Sequence, residues 1–300
     1  MSEHYPRIRI RAENGAILIR EGLSFNFYMR RFHQELLPGI LRSLETYRGV
    51  VGEGLGHYWD EEAEFPHDLD AAGWNLVMRD LTAGRTIRLR DISAREGRYR
   101  FEYYSRMADL PSLKWSPDWV SVVSFWMSTE YLEEHGPAQV RALALAVAAP
   151  LPFCSGHVGL SFNGETDLLG VPEEIRKRCF RYPGLDIYEM EYLTSEIGTR
   201  LRGVAWLTFL GQPVLGELGG AAALRSRLHT PGTTVEELDS ERAVVTLGEW
   251  PEAGDTEKGR DLPAYRELAR VLEPWLFHEE HRRSDFTPED LLRWERRFVD

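Results

Sequence analysis

Residues 119–127 are dense in valine, phenylalanine and tryptophan, with little to mark a wet face. A run of this kind belongs at the centre of a sheet, covered on both sides. A central strand requires partner strands at its edges and other layers against its faces. The rest of the sequence supplies both. Residues 85–91 turn Ile87 and Leu89 inward, and residues 98–104 alternate Tyr99, Phe101 and Tyr103; Glu96-Gly97 between them predicts a turn joining paired strands. At the start of the chain Arg7, Ile8, Arg9, Ile10 and Arg11 alternate with period two, Asn14-Gly15 signals a hairpin, and residues 16–20 make the return strand. Residues 158–162, 204–210, 233–238 and 243–247 read as further strands.

Helical spacing fills the intervals. Phe32, Leu36, Leu37, Ile40, Leu41, Leu44 and Tyr47 recur every three or four residues, and Pro38 among them predicts a kink or a late start. Residues 57–70 are acidic and read as a loop, with a helix over 71–81 behind it. Ser128 or Thr129 caps a short helix that Gly136-Pro137 interrupts, and residues 138–149 resume as a buried one. Residues 214–228 and 262–276 are helical, and Thr287-Pro288-Glu289-Asp290 opens a last helix with a cap, a proline and two acids at its positive end. The strand–helix–strand order recurs, which hints at two similar layers. Without regular βαβ alternation the class is α+β: a mixed, largely antiparallel sheet, or sheets, packed with helices. The expected organisation is a single globular domain over residues 1–278, with sub-layers near 1–110 and 111–278, and a helical extension over 279–300.

Charge narrows the function classes. The 300 residues carry 48 carboxylates against 36 lysines and arginines, a formal net charge of −12. Direct nucleic-acid binding would need a basic footprint, so it is not expected. A basic protein partner is compatible, because opposite fields speed encounter, while solubility alone also accounts for the acidity. Cys154 and Cys179 make neither a disulfide framework nor a metal spacing, and suit buried thiols in a reducing compartment. The first residues lack the apolar stretch of a signal peptide, and the longest apolar run, 142–153, is too short to cross a bilayer and contains Pro150 and Pro152. A cytoplasmic protein without a membrane partner is therefore expected.

No catalytic signature is complete. Gly52, Gly54 and Gly56 lack the Lys-Ser/Thr ending of a phosphate loop and the dinucleotide spacing. Ser155 in Cys-Ser-Gly-His lacks the glycine two residues before it that a nucleophile elbow places there. His278-Glu279-Glu280-His281 spaces its histidines by three, where a helical zinc motif needs four. His57, His67 and the acids between them lack the regular spacing of a calcium loop. Gly216, Gly219 and Gly220 are explained by tight backbone packing. Trp59, Trp115, Trp119, Trp126, Trp206 and Trp250 lack the basic interleaving of a base-stacking platform and read as core or turn anchors.

Four stretches, taken in order, resemble one family. They are Ser124-Phe125-Trp126 with Thr129-Glu130-Tyr131-Leu132; Pro152-Phe153-Cys154-Ser155-Gly156-His157-Val158-Gly159; Arg181-Tyr182-Pro183-Gly184-Leu185-Asp186; and Gly203 through Trp206, Leu207, Phe209, Leu210 and Gly211 to Leu218-Gly219-Gly220. Together they resemble the bacterial type VI secretion immunity family that accompanies VRR-Nuc nuclease effectors, over most of the chain. The resemblance implies an immunity protein that binds and neutralises a cognate secreted nuclease toxin in the cytoplasm, with no catalytic residues, cofactor or metal of its own.

Contact residues do not come with the resemblance, so they rest on charge. A nuclease that grips phosphates is cationic around its centre, and an acidic patch competes for that surface. Two segments qualify. The first holds Tyr58, Trp59, Asp60, Glu61, Glu62 and Glu64, with Phe65, Asp68 and Asp70 behind them; the second, 236–257, includes Glu249, Trp250, Glu252 and Asp255. Both also read simply as solvated loops. The competing function is a hydrolase-like enzyme using Ser155, His157 and a carboxylate such as Asp167, which requires those side chains to converge. A scaffold or homo-oligomer subunit is a third reading.

Overall fold

A computed structural model describes residues 3–93, 96–106, 116, 118–166, 168–187, 190–278 and 286–300. The chain divides into two compact units: residues 1–24, 155–189 and 200–300, and residues 25–154 and 190–199. Both mix strands with helices, and the fold is α+β with strands that pair antiparallel almost throughout.

Strand β1 (Arg9–Arg11) turns through Asn14-Gly15 into β2 (Ile17–Met29), with residues 17–24 in the first unit and 25–29 in the second. Gly15 takes the left-handed φ of +84° that the turn needs, and the Asn14 side chain accepts from the Ala16 N–H at 3.0 Å. The strand outruns the expected 16–20 because Arg20 and Glu21, which look like a wet strand end, are buried. The Glu21 carboxylate accepts from the Ile8 N–H at 2.7 Å and pairs with Arg9, which makes that burial tolerable.

In the second unit α1 (His33–Val51) buries Leu36, Ile40, Leu44 and Tyr47, the spacing read from the sequence. It starts at His33 and continues through Pro38, so the expected late start does not occur; the proline forgoes one backbone bond, to the Gln34 carbonyl. Where a loop was expected, β3 (Leu55–Asp60) and β4 (Phe65–Asp68) form an antiparallel hairpin. Then come α2 (Ala71–Thr82), β5 (Ile87–Asp91), β6 (Arg100–Tyr104) and β7 (Ser121–Ser128), in the sheet order β7-β6-β5-β3-β4. Every residue of β7 is buried, as its composition demanded. Phe125 at its centre packs at a tilt against Tyr47 of α1 and Phe101 of β6, at ring separations of 5.1 and 5.3 Å. Helix α3 (Thr129–Ala148) is interrupted at Gly136, φ +77°, and Ser43 of α1 donates to its Val147 carbonyl at 2.7 Å.

In the first unit β8 (Ser155–Gly164) and α4 (Val171–Cys179) precede β9 (Asp186–Ile187), which pairs parallel to β8. Helix α5 (Met190–Glu196) belongs to the second unit. Back in the first, β10 (Leu207–Leu210) leads to α6 (Val214–Glu217), α7 (Gly220–Arg225), β11 (Thr233–Glu237), β12 (Ala243–Leu247), α8 (Pro263–Leu272) and α9 (Pro288–Glu295). The strand order is β11-β12-β10-β8. Residues 214–228 are two short helices and not one, because Gly219 and Gly220 both take φ near +85°. That conformation, and not tight packing, explains Gly220, where a Cβ would meet nothing within 4 Å; at Gly216 and Gly219 a Cβ would lie 2.7 Å from the Gln212 Oε1 and 3.0 Å from the Ala223 Cβ, the close packing expected there. The core of this unit gathers Leu210, Leu215, Leu224, Val245, Leu268 and Leu272.

Strand edges are blunted by side chains. On β11 the Arg225 guanidinium donates to the Val235 carbonyl at 2.8 Å. On β4, Leu69 N–H bonds to Gly56 O, which sets the ladder parity so that Pro66 turns its nitrogen to the open edge. A proline there offers an incoming strand no donor. Among the described residues no helix is long and apolar enough to cross a membrane.

A Cβ on Gly73 would lie 1.9 Å from the Asp68 carbonyl oxygen, a backbone atom that cannot step aside. Gly73→Ala should therefore cost about 2–3 kcal/mol in urea denaturation, despite alanine's better helix propensity of about 1 kcal/mol.

Candidate functional site

The first acidic segment is the β3–β4 hairpin, and its sequence splits into two roles. Tyr58 and Asp60 alternate to the buried face of β3. The Tyr58 hydroxyl donates to Asp80 of α2 at 2.8 Å, and the same carboxylate accepts two bonds from Arg79, each 2.8 Å, with Arg85 at 3.3 Å. Asp60 accepts from the N–H groups of Glu62 and Ala63 at 2.9 and 3.0 Å, which closes the turn. Burial by itself would raise the Asp80 pKa, but the hydrogen bonds from Arg79 and Tyr58 outweigh it and hold the carboxyl below its ordinary value. Burial likewise pushes the Tyr58 hydroxyl upward.

What the tip presents to solvent is Glu61, Glu62, Glu64 and Phe65, with Trp59 half-buried. Glu61 lies 3.4 Å from Arg88, and Glu62 pairs with Arg85. Glu64 takes φ +51°, the one non-glycine in the left-handed region among the described residues. Phe65 is 60% exposed, and the ring of His67 meets it edge-on at 5.7 Å. The tip is thus an acidic rim around one aromatic ring, on a turn fixed from below.

The second segment is less open than its composition suggests. Asp255 is buried and takes a two-pronged bond from Arg181, at 3.0 and 3.1 Å, which holds its pKa low. The Trp250 ring stacks on His4 at 4.9 Å, and Glu252 pairs with the same histidine. Glu249, Glu236 and Glu237 remain exposed.

The residues of the enzymatic reading lie in the first unit. Ser155 and His157 are two apart on β8 and share a face, both buried. His157 Nε2 faces Asp186 at 3.3 Å, a carboxylate the sequence reading did not choose; Asp167 and Trp115 lie outside the described residues, as do residues 279–281 of the His-Glu-Glu-His run. Burial would raise the Asp186 pKa, but the bond to His157 and the nearby Arg202 and Arg297 drive it well below the usual range. Ser155 donates its hydroxyl proton to the Arg200 carbonyl at 3.0 Å. The serine–base bond that would activate a nucleophile is not among these contacts. Among the described residues no group of three or more His, Cys, Asp or Glu side chains is placed to hold a metal.

Comparison with known proteins agrees with the order of motifs. Residues 39–298 match the family model TsiV, described as type VI immunity for VRR-NUC. The chain belongs to the TsiV family. The matched span takes in both acidic segments and parts of both units. Among solved structures, the Pseudomonas aeruginosa T6SS protein PA0821 is similar at a TM-score of 0.81 and 18% identity, covering 97% of this chain and 87% of that one. That likeness speaks to the fold. No curated protein matches. The stretches that carry the TsiV resemblance prove to hold structural contacts: Ser124 donates to Asn26 at 2.7 Å, and Trp206 donates to Gly248 at 3.2 Å. A Cβ on Gly184 would lie 2.1 Å from the Glu252 carbonyl.

Two measurements follow from the support beneath the hairpin. Tyr58→Phe should cost about 1–2 kcal/mol of stability, because it removes a donor from a buried carboxylate. Asp80 has a folded pKa below its unfolded value, so its contribution is complete above the ordinary carboxylate range and is lost as pH falls through the folded pKa. Asp80→Asn should be less stable at neutral pH and show a shallower loss below pH 4 than the parent protein in denaturation curves.

Proposed function

We propose that this chain neutralises a cognate nuclease toxin by binding it, without catalysis of its own. The match to a type VI immunity family over residues 39–298 carries this reading. The chain's net charge of −12 supports it, since a phosphate-gripping surface is cationic and opposite fields favour encounter. The work takes place in the cytoplasm of the producing cell, ahead of self-intoxication.

For the contact surface we propose the β3–β4 tip first. Its exposed carboxylates, Glu61, Glu62 and Glu64, stand beside an exposed Phe65, and aromatic anchors within a polar rim are the usual make-up of a binding hot spot. The tip engages by side chains, because Pro66 closes the neighbouring edge to strand addition. In the second segment Glu249 is available, with Glu236 and Glu237 near it in sequence; Tyr58, Asp60, Glu252 and Asp255 serve by holding these surfaces in shape. Trp59 and Trp250 contribute partly exposed rings.

Co-purification with the product of the adjacent gene, followed by DNA degradation with and without this protein, tests the function. A stable complex that abolishes degradation is the expected result; absence of any complex would overturn it. Reversing Glu62, Glu64 and Asp68 to lysine should slow association about tenfold at low salt and leave folding intact. If that triple variant and the corresponding reversal at Glu236, Glu237 and Glu249 both bind at the parent rate, the acidic surfaces are not the contact and immunity proceeds elsewhere on the molecule.

A further inference from the structure

Among the described residues, fourteen positions take a left-handed backbone, with φ between +51° and +87°, and glycine holds every one of them except residue 64. In that region a Cβ crowds the backbone, and only short polar side chains that bond locally enter it readily. Glutamate has no such compensation. Glu64, at φ +51°, stands between Ala63, whose N–H is taken by Asp60, and Phe65, the first residue of β4. The turn requires the conformation. It does not require the carboxylate.

Solubility does not account for that carboxylate, because one more charge changes little in a chain that already carries −12. Internal contacts do not account for it either. Asp60 accepts from two N–H groups of the turn, Glu61 lies 3.4 Å from Arg88, and Glu62 pairs with Arg85. Among the described residues the Glu64 side chain has no ion pair and no hydrogen bond, and the residue is exposed. The neighbours also differ in what a partner would gain from them. To meet an incoming cation, Glu61 and Glu62 must give up Arg88 and Arg85, an exchange that nearly cancels. Glu64 gives up only water. Phe65 follows it, 60% exposed, and sets an aromatic ring beside the one unpaired carboxylate of the turn.

We propose that Glu64 is the specificity-determining residue of the β3–β4 tip: its carboxylate seats on a guanidinium or ammonium of the toxin, beside an apolar recess that takes the Phe65 ring. This rests on the reading that the chain binds its toxin through that tip. Glycine at position 64 would make the more stable turn, and the fold forgoes that stability for a contact made only in the complex.

Urea denaturation of the chain alone, and its binding to the purified product of the adjacent gene, separate the two roles. Glu64→Gly should raise the folding equilibrium constant about threefold and yet weaken binding about tenfold or more. Glu64→Gln keeps the shape and the strain, so its denaturation midpoint should match the parent's while its binding falls about as far. Glu61→Gln with Glu62→Gln should weaken binding by less than about threefold. The inference is overturned if Glu64→Gln binds as the parent does, or if Glu64→Gly is no more stable than the parent. The triple reversal of Glu62, Glu64 and Asp68 shows which statement has failed. If the reversal slows association while Glu64→Gln binds as the parent does, this inference alone falls. If neither variant changes binding, the tip is not the contact and both fall; absence of any complex with the parent chain removes the binding reading itself.

Discussion

Carboxylates drawn out of water need a cation within reach, or their desolvation outweighs what any single hydrogen bond returns. This acidic chain buries Glu21, Asp80, Asp91, Glu102 and Asp255, and sets an arginine against each: Arg9, Arg79, Arg98, Arg100 and Arg181. The guanidinium is suited to the task, because its planar fork meets both carboxylate oxygens and is less strongly hydrated than an ammonium. Lysine is confined to Lys114, Lys177 and Lys258, and the two described ones stand at the surface. The β2 strand and the support beneath the hairpin both depend on such pairs.

The same accounting separates structural acids from available ones. Asp80 and Asp255 are spent on internal arginines, and Asp60 on the N–H groups of its own turn. Glu62 pairs with Arg85 yet remains at the surface, and Glu64 stands at the turn with its backbone in the left-handed region. Net charge therefore overstates the acidic surface a partner would meet.

The motifs behind the TsiV resemblance fit this picture. They are not reactive constellations. Ser124, Gly184 and Trp206 hold particular backbone and side-chain contacts, so these stretches serve the scaffold. Ser155 and His157 belong with them: the serine satisfies a backbone carbonyl, and the histidine faces Asp186, which Arg297 also reaches.

Local pattern was enough to read β7, α1, α2 and the strands at β5, β6, β11 and β12, because the spacing of apolar residues repeats with the period of each element. The capped start of α9 was legible for the same reason, since Thr287, Pro288 and the two acids act on their own backbone. The hairpin at β3–β4 and the far half of β2 were not legible. Their polar residues look solvent-bound in sequence, and only partners distant along the chain, Asp80 for Tyr58 and Ile8 and Arg9 for Glu21, make their burial possible. Periodicity thus determined the α+β class and most elements. Which acids face inward was decided by tertiary pairing, because a charge's burial depends on a partner that sequence distance does not reveal.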